Sequence, residues 1–135
     1  MKKRIVLVAA LLFVVGLLVS CAQPDNPFPG TMWKYVNETT NIAQQIEFTE
    51  DQISFYHSAN RGLTWYSNQL KGVTDVFEYR VKDDGLMQVK FALSWADCPY
   101  SINGDQLTID FSDLSELLYG GNWTYTKTNI GYDEY

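Results

Sequence analysis

The chain has 135 residues, with 16 Asp and Glu against 10 Lys and Arg, a formal net charge of −6, and 15% aromatic residues. That length suits one domain able to bury a core without disulfides. So acidic a chain is ill-suited to a nucleic-acid backbone, and 19% charged residues beside many aromatics exclude disorder as its main content.

Lys2-Lys3-Arg4 precedes Ile5–Val19, a stretch apolar throughout except for Gly16. It is shorter than the roughly 20 residues a spanning helix needs but fits the core of a secretory signal. Leu18-Val19-Ser20-Cys21 follows. These four residues resemble the lipobox of bacterial lipoproteins, an aliphatic residue, a small or branched one, a small one, then cysteine. The resemblance implies that residues 1–20 are a lipoprotein signal peptide and are removed. It also implies that the Cys21 thiol carries a diacylglyceryl group and that its new amino group is often acylated as well. Two or three acyl chains give stable anchoring where one is marginal. The protein is then expected on a membrane of the cell envelope, facing the periplasm or the exterior. Ala22, rather than Asp, behind the cysteine favours outer-membrane sorting under the enteric rule. The other readings are an uncleaved anchor, or an ordinary secretory signal in which Cys21 is incidental.

Residues 21–29 read as the lipid-bearing cysteine and a tether, in which Pro24, Pro27 and Pro29 keep the chain extended and out of helix. Gly30 marks the start of the folded domain, residues 30–128, and residues 129–135 form a tail. Trp33 and Tyr35 open the first strand. Gln45–Phe48 and Ile53–Tyr56 alternate apolar and polar about a turn at Glu50-Asp51-Gln52, and Leu63 and Trp65 share one parity in a further run. Phe77, Tyr79 and Val81 alternate with Glu78 and Arg80, the pattern of a half-buried strand. Asp83-Asp84-Gly85 reads as a turn, after which Met87, Val89, Phe91 and Leu93 alternate with Gln88 and Lys90. Asn103-Gly104 is the strongest hairpin signal and joins Tyr100–Ile102 to Leu107–Phe111. Asp113–Leu118 carries leucines at helical spacing behind an N-cap pattern and stops at Gly120-Gly121. This helical turn or two is either a lid over a ligand or a plug completing the core. Trp123–Lys127 is the last strand.

About eight or nine short strands without a long crossover predict an all-β, antiparallel up-and-down barrel with one short helix near the C-terminus, a sandwich being the alternative. The inward set drawn from these parities includes Leu63, Trp65, Phe91 and Leu93 beside Ile46, Phe55, Phe77, Tyr79, Met87, Val89, Ile109 and Tyr125. Gly30-Thr31-Met32-Trp33, the later Ile46-Glu47-Phe48-Thr49, the stretch Tyr100–Ile109 and the closing Tyr125-Thr126-Lys127 resemble bacterial lipocalin-like domains, which are often carried on lipoproteins. The resemblance spans Gly30 to about Thr128. It implies that Trp33 packs against a basic residue of the final strand, here Lys127, closing one barrel end through a cation–π contact. The glycine-any-tryptophan opening of that family has one extra residue here.

Residues suited to catalysis are few. His57 is the one histidine, with neither a second histidine nor a cysteine pair to share a transition metal, and it reads as a rim residue. Lipidation of Cys21 would leave Cys98 without an intramolecular partner, either as a buried small hydrophobe or as a thiol open to an intermolecular disulfide. Glu50-Asp51 and Asp83-Asp84 fall at turns, where carboxylates serve geometry and solubility rather than acid–base work. No nucleophile elbow, phosphate loop or dinucleotide fingerprint occurs. The expectation is a monomeric non-enzyme without metal or cofactor that does not bind nucleic acid.

Large inward side chains argue that a barrel with such short strands is filled rather than hollow. Binding is then expected at the barrel mouth, for a small apolar or aromatic ligand or a peptide, with Arg61, Trp65, Tyr66, Phe55 and Tyr79 as candidate residues. Residues 60–75 carry Arg61, Trp65, Tyr66 and Lys71, types that anchor partners, or else form a strand with one wet face. The alternative is a solid barrel acting through its outer surface, as a structural, partner-binding or inhibitory lipoprotein.

Overall fold

The computed structural model describes residues 25–64 and 75–131, without the side chains of residues 116–118. Eight antiparallel strands follow one another in chain order and close into a barrel. They are β1 (Met32–Asn37), β2 (Ile42–Phe48), β3 (Gln52–Ser58), β4 (Val76–Asp83), β5 (Leu86–Phe91), β6 (Ser94–Asn103), β7 (Gln106–Asp110) and β8 (Asn122–Thr128). Closure comes from β1 pairing with β8 through Met32↔Thr128, Trp33↔Lys127 and Lys34↔Thr126. Helix α1 (Ser112–Tyr119) lies between β7 and β8 and is broken at Ser115, whose backbone is extended.

The hairpins are tight because their turns contain residues that accept left-handed backbone. Gly104, at φ +61°, is the first residue of its two-residue turn, where a type II′ hairpin places glycine, and Gly85, at φ +82°, follows Asp84 beside a register irregularity between Val81 and Asp83. The turn between β5 and β6 is less legible. Met87 and Val89 are fully buried, but the strand ends at Phe91 and the chain reverses at Ala92-Leu93, with Ala92 at φ +57°. Leu93 is therefore 97% exposed at the hairpin tip, not inward as parity predicts, while Phe91 keeps the parity of Val89, its ring 5.9 Å from that of Phe77, and lies 45% exposed at the rim. Alternation runs on through a turn that no glycine announces. Leu63 departs in the same way. It follows Arg61 (φ +62°) and Gly62 (φ +87°) in a turn and is exposed, rather than facing inward on a strand. Trp65 and Tyr66 lie outside the described residues, as does Cys21.

β6 serves two neighbours in succession. Its first part pairs with β5, from Phe91↔Ser94 to Leu86↔Pro99, and Tyr100–Asn103 then pairs with β7. Among the described residues, no strand lies beside the side of Ser94–Pro99 that faces away from β5. Helix α1 lies there instead, and the Asp113 carboxylate accepts the Asp97 N–H at 3.1 Å. Pro99 shares that side, where its missing N–H removes no ladder bond. Phe111, Leu114 and Tyr119 point into the barrel and are buried. Tyr119 meets Phe55 at 4.5 Å and Phe77 at 5.6 Å between ring centroids. In its described side chains the helix is thus a plug.

The other barrel end, where β1 begins and the turns at Glu50-Asp51, Asp84-Gly85 and Gly104-Asp105 gather, is closed by the segment before β1. Phe28 is fully buried, 4.6 Å from the Phe48 ring, 4.9 Å from Tyr100 and 6.2 Å from Tyr79. The Gly30 N–H donates to the Phe48 carbonyl at 3.0 Å, and the Phe28 carbonyl accepts from the Thr31 N–H and hydroxyl. Phe28, which the prolines around it assign to an extended tether, belongs to the core. At the same end the Lys127 ammonium lies 5.7 Å from the Trp33 ring centroid, within the range of a cation–π contact.

Candidate functional site

At the end opposite Phe28, the inward side chains change from apolar to polar. The register sets Tyr35 of β1, Gln44 of β2 and His57 of β3 side by side. Gln44 points inward because it shares the parity of Ile46 and Phe48, and it is only 1% exposed. Its Oε1 accepts the Tyr125 hydroxyl proton at 2.7 Å, while its Nε2 has no hydrogen-bond partner. A buried amide donor left unpaired costs about 1–3 kcal/mol, so this atom needs an explanation.

Aromatic residues adjoin Gln44, Tyr35 as its register partner on β1 and Tyr125 as its hydrogen-bond partner. Tyr35 stacks on Trp123 at 4.3 Å with the planes 17° apart, and its ring is 5.9 Å from that of Tyr125. Asn37 Nδ2 donates to the Tyr35 hydroxyl at 3.2 Å. Trp123 covers Gly120, where a Cβ would lie 2.6 Å from three indole carbons and φ is +85°. Glycine is thus required there both by space and by backbone.

Asp75 completes this end. Its carbonyl accepts the Phe55 N–H at 3.0 Å, which sets its carboxylate beside β3, and Asp75 Oδ2 is 3.6 Å from His57 Nε2. Asp75 is 1% exposed. Burial lowers the His57 pKa below its ordinary value, and the Asp75 charge opposes that shift. Burial and then Asp75 push the Tyr119 hydroxyl up to about 12, its ring being 5.9 Å from the imidazole. Burial and the Asp113, Asp110 and Asp97 carboxylates likewise push the Cys98 thiol up to about 12. That thiol is free, buried and paired in register with Met87, a small hydrophobe rather than a nucleophile. Around the rim, Ile42, Leu63, Phe91 and Leu93 expose apolar surface.

Of the binding residues singled out in the sequence, the three that are described, Phe55, Tyr79 and Arg61, do not converge. Phe55 is fully buried beneath Phe111 and Tyr119. Tyr79 lies by the Phe28 end, its hydroxyl donating to the Thr49 carbonyl at 2.7 Å and accepting from Asn26 at 3.2 Å. Arg61 is on the exterior and ties two loops together, Nε donating to Asn41 Oδ1 at 2.7 Å and the guanidinium to the Glu38 carbonyl at 3.1 Å. Sequence reasoning passed over Gln44 and Asp75. Both carried one signal, a polar residue on the parity of an apolar strand face.

Among the grooves lined by described residues on the outer wall are two of similar size. One, of about 530 Å³, runs past Pro27 and Tyr100 between Asp25 and Asp84, and the other, of about 480 Å³, follows the β1–β8 seam. Among the described residues no group of three or more His, Cys, Asp or Glu could hold a metal ion, and no helix is long and apolar enough to cross a membrane. No protein-family model, curated protein or solved structure matches this chain.

Proposed function

We propose that this is a lipid-anchored, non-catalytic binding protein of the bacterial cell envelope, a lipocalin-like barrel that takes a small apolar or aromatic molecule, or a peptide, at its mouth. The observation that carries this reading is the difference between the two barrel ends. The chain comes in at the end sealed by Phe28, while the far end combines inward polar groups with an exposed apolar rim. Acylated Cys21 would tether the sealed end close to the bilayer, since extended chain spans at most about 3.3–3.6 Å per residue, and the mouth would face away from the lipid. The packing of Phe55, Phe111 and Tyr119 makes the binding shallow, at the level of the rim rather than deep in the barrel. The His57, Tyr119 and Cys98 environments favour neutral groups, which suits recognition better than proton transfer.

The test is native mass spectrometry of the protein released in detergent from its own host. A small molecule bound in a fixed ratio supports the mouth reading. An unliganded barrel that retains a stoichiometric protein partner overturns it in favour of a solid barrel working through its exterior. One observation favours that second reading. Trp95 faces outward on β6, 4.0 Å from the Arg80 guanidinium carbon and 5.9 Å from the Lys90 ammonium, an aromatic and cationic patch of the kind that anchors proteins.

A further inference from the structure

The unpaired amide of Gln44 says more about the ligand than the rim does. Rotating that amide by 180° does not remove the mismatch. Nε2 would then meet the Tyr125 oxygen, Oε1 would lose its donor, and the Tyr125 proton would lose its acceptor. In either orientation one hydrogen-bonding position at the inner wall is unclaimed by protein. As placed, the unclaimed group is a donor. The register neighbours of Gln44 are Tyr35 and His57, and its hydrogen-bond partner is Tyr125; the Tyr35 ring packs on those of Trp123 and Tyr125. Among the described residues, the buried carboxylate beside His57 is that of Asp75, at 1% exposure, and it disfavours an anion.

We infer that the Gln44 amide, braced by the Tyr125 hydroxyl, is the hydrogen-bonding floor of the ligand site, and that it receives the carbonyl oxygen of a small neutral molecule with an aromatic or apolar body. This rests on the mouth-binding reading above. Because Gln44 is 1% exposed, the ligand reaches it by displacing the stacked Tyr35–Trp123 pair.

The test uses the full-length ¹⁵N-labelled protein in detergent, titrated with acetophenone and with α-methylstyrene, which has a methylene in place of the carbonyl oxygen. The free concentration of each probe is measured. Acetophenone, and not α-methylstyrene, should move the Gln44 side-chain N–H₂ resonances downfield, and the ratio of its affinity to that of the more hydrophobic α-methylstyrene is the reference for the variant. Gln44→Met should lower that ratio about tenfold, the effect of losing one well-placed hydrogen bond. Should Gln44→Met fail to fold because Tyr125 loses its acceptor, Gln44→Met combined with Tyr125→Phe removes both polar groups and gives the same readout. A ratio that Gln44→Met leaves unchanged overturns this inference while sparing the mouth reading. So does a Gln44 amide whose partner is one long-lived water that acetophenone leaves in place. If neither probe perturbs any resonance at that end, both readings fall together.

Discussion

Phe28 fills the space between Phe48, Tyr79 and Tyr100 with no exposed surface, so its loss opens a cavity that backbone held by Gly30 and Thr31 cannot collapse. Phe28→Ala should cost about 3–5 kcal/mol, read as a lower denaturant midpoint at unchanged slope. His57 supplies a pH dependence whose sign follows from burial. The unfolded chain takes up a proton near pH 6.5, the folded protein only at a lower pH. Between those values the unfolded state holds more protons, so stability falls as the pH drops below about 6.5 and levels off once the folded imidazole is charged. Urea midpoints measured from pH 7.5 to 5 should show this limb, and His57→Gln should flatten it. At this scale the sequence was readable where apolar parity and burial agree, as at Ile46, Phe55 and Met87. It was unreadable at Phe28, because neighbouring prolines resemble a linker whether or not the residue between them finds a pocket.

Among the elements, β6 shows how a strand can lack a neighbour and remain covered. The Asp113 carboxylate stands in for a strand by accepting the Asp97 N–H. Asp113→Ala should speed hydrogen exchange at the Asp97 amide and cost about 1 kcal/mol, with the exchange of β2 and β3 amides unchanged relative to global stability. The second half of β6 was legible through Asn103-Gly104. The first half was not, since Ala96 and Cys98 are small, Pro99 argues against a strand, and the preceding reversal uses Ala92 in a left-handed conformation. The helix pattern before Gly120-Gly121 was legible, and its role was settled by where Phe111, Leu114 and Tyr119 point. The candidate site was the least legible part. Gln44 and Asp75 meet His57 only through strand register and loop return, which no local pattern encodes.

For the molecule as a whole, sequential hairpins without a long crossover were enough to predict closure, and the β1–β8 ladder completes it. The proposed membrane attachment would be a separate property of the leader. Cys21→Ser should move the protein from the membrane to the soluble fraction and abolish the acyl mass increment on the N-terminal peptide, with the circular dichroism of the barrel retained. Closure itself has a consequence for life on a surface. Anchoring confines molecules to two dimensions and multiplies their encounters, a setting in which sheet proteins with bare margins zip onto one another. Among the described residues the strands form a closed ring, and a helix covers the free side of β6, so little ladder is left for a neighbour to extend, and crowding on a bilayer would not readily turn into fibrils.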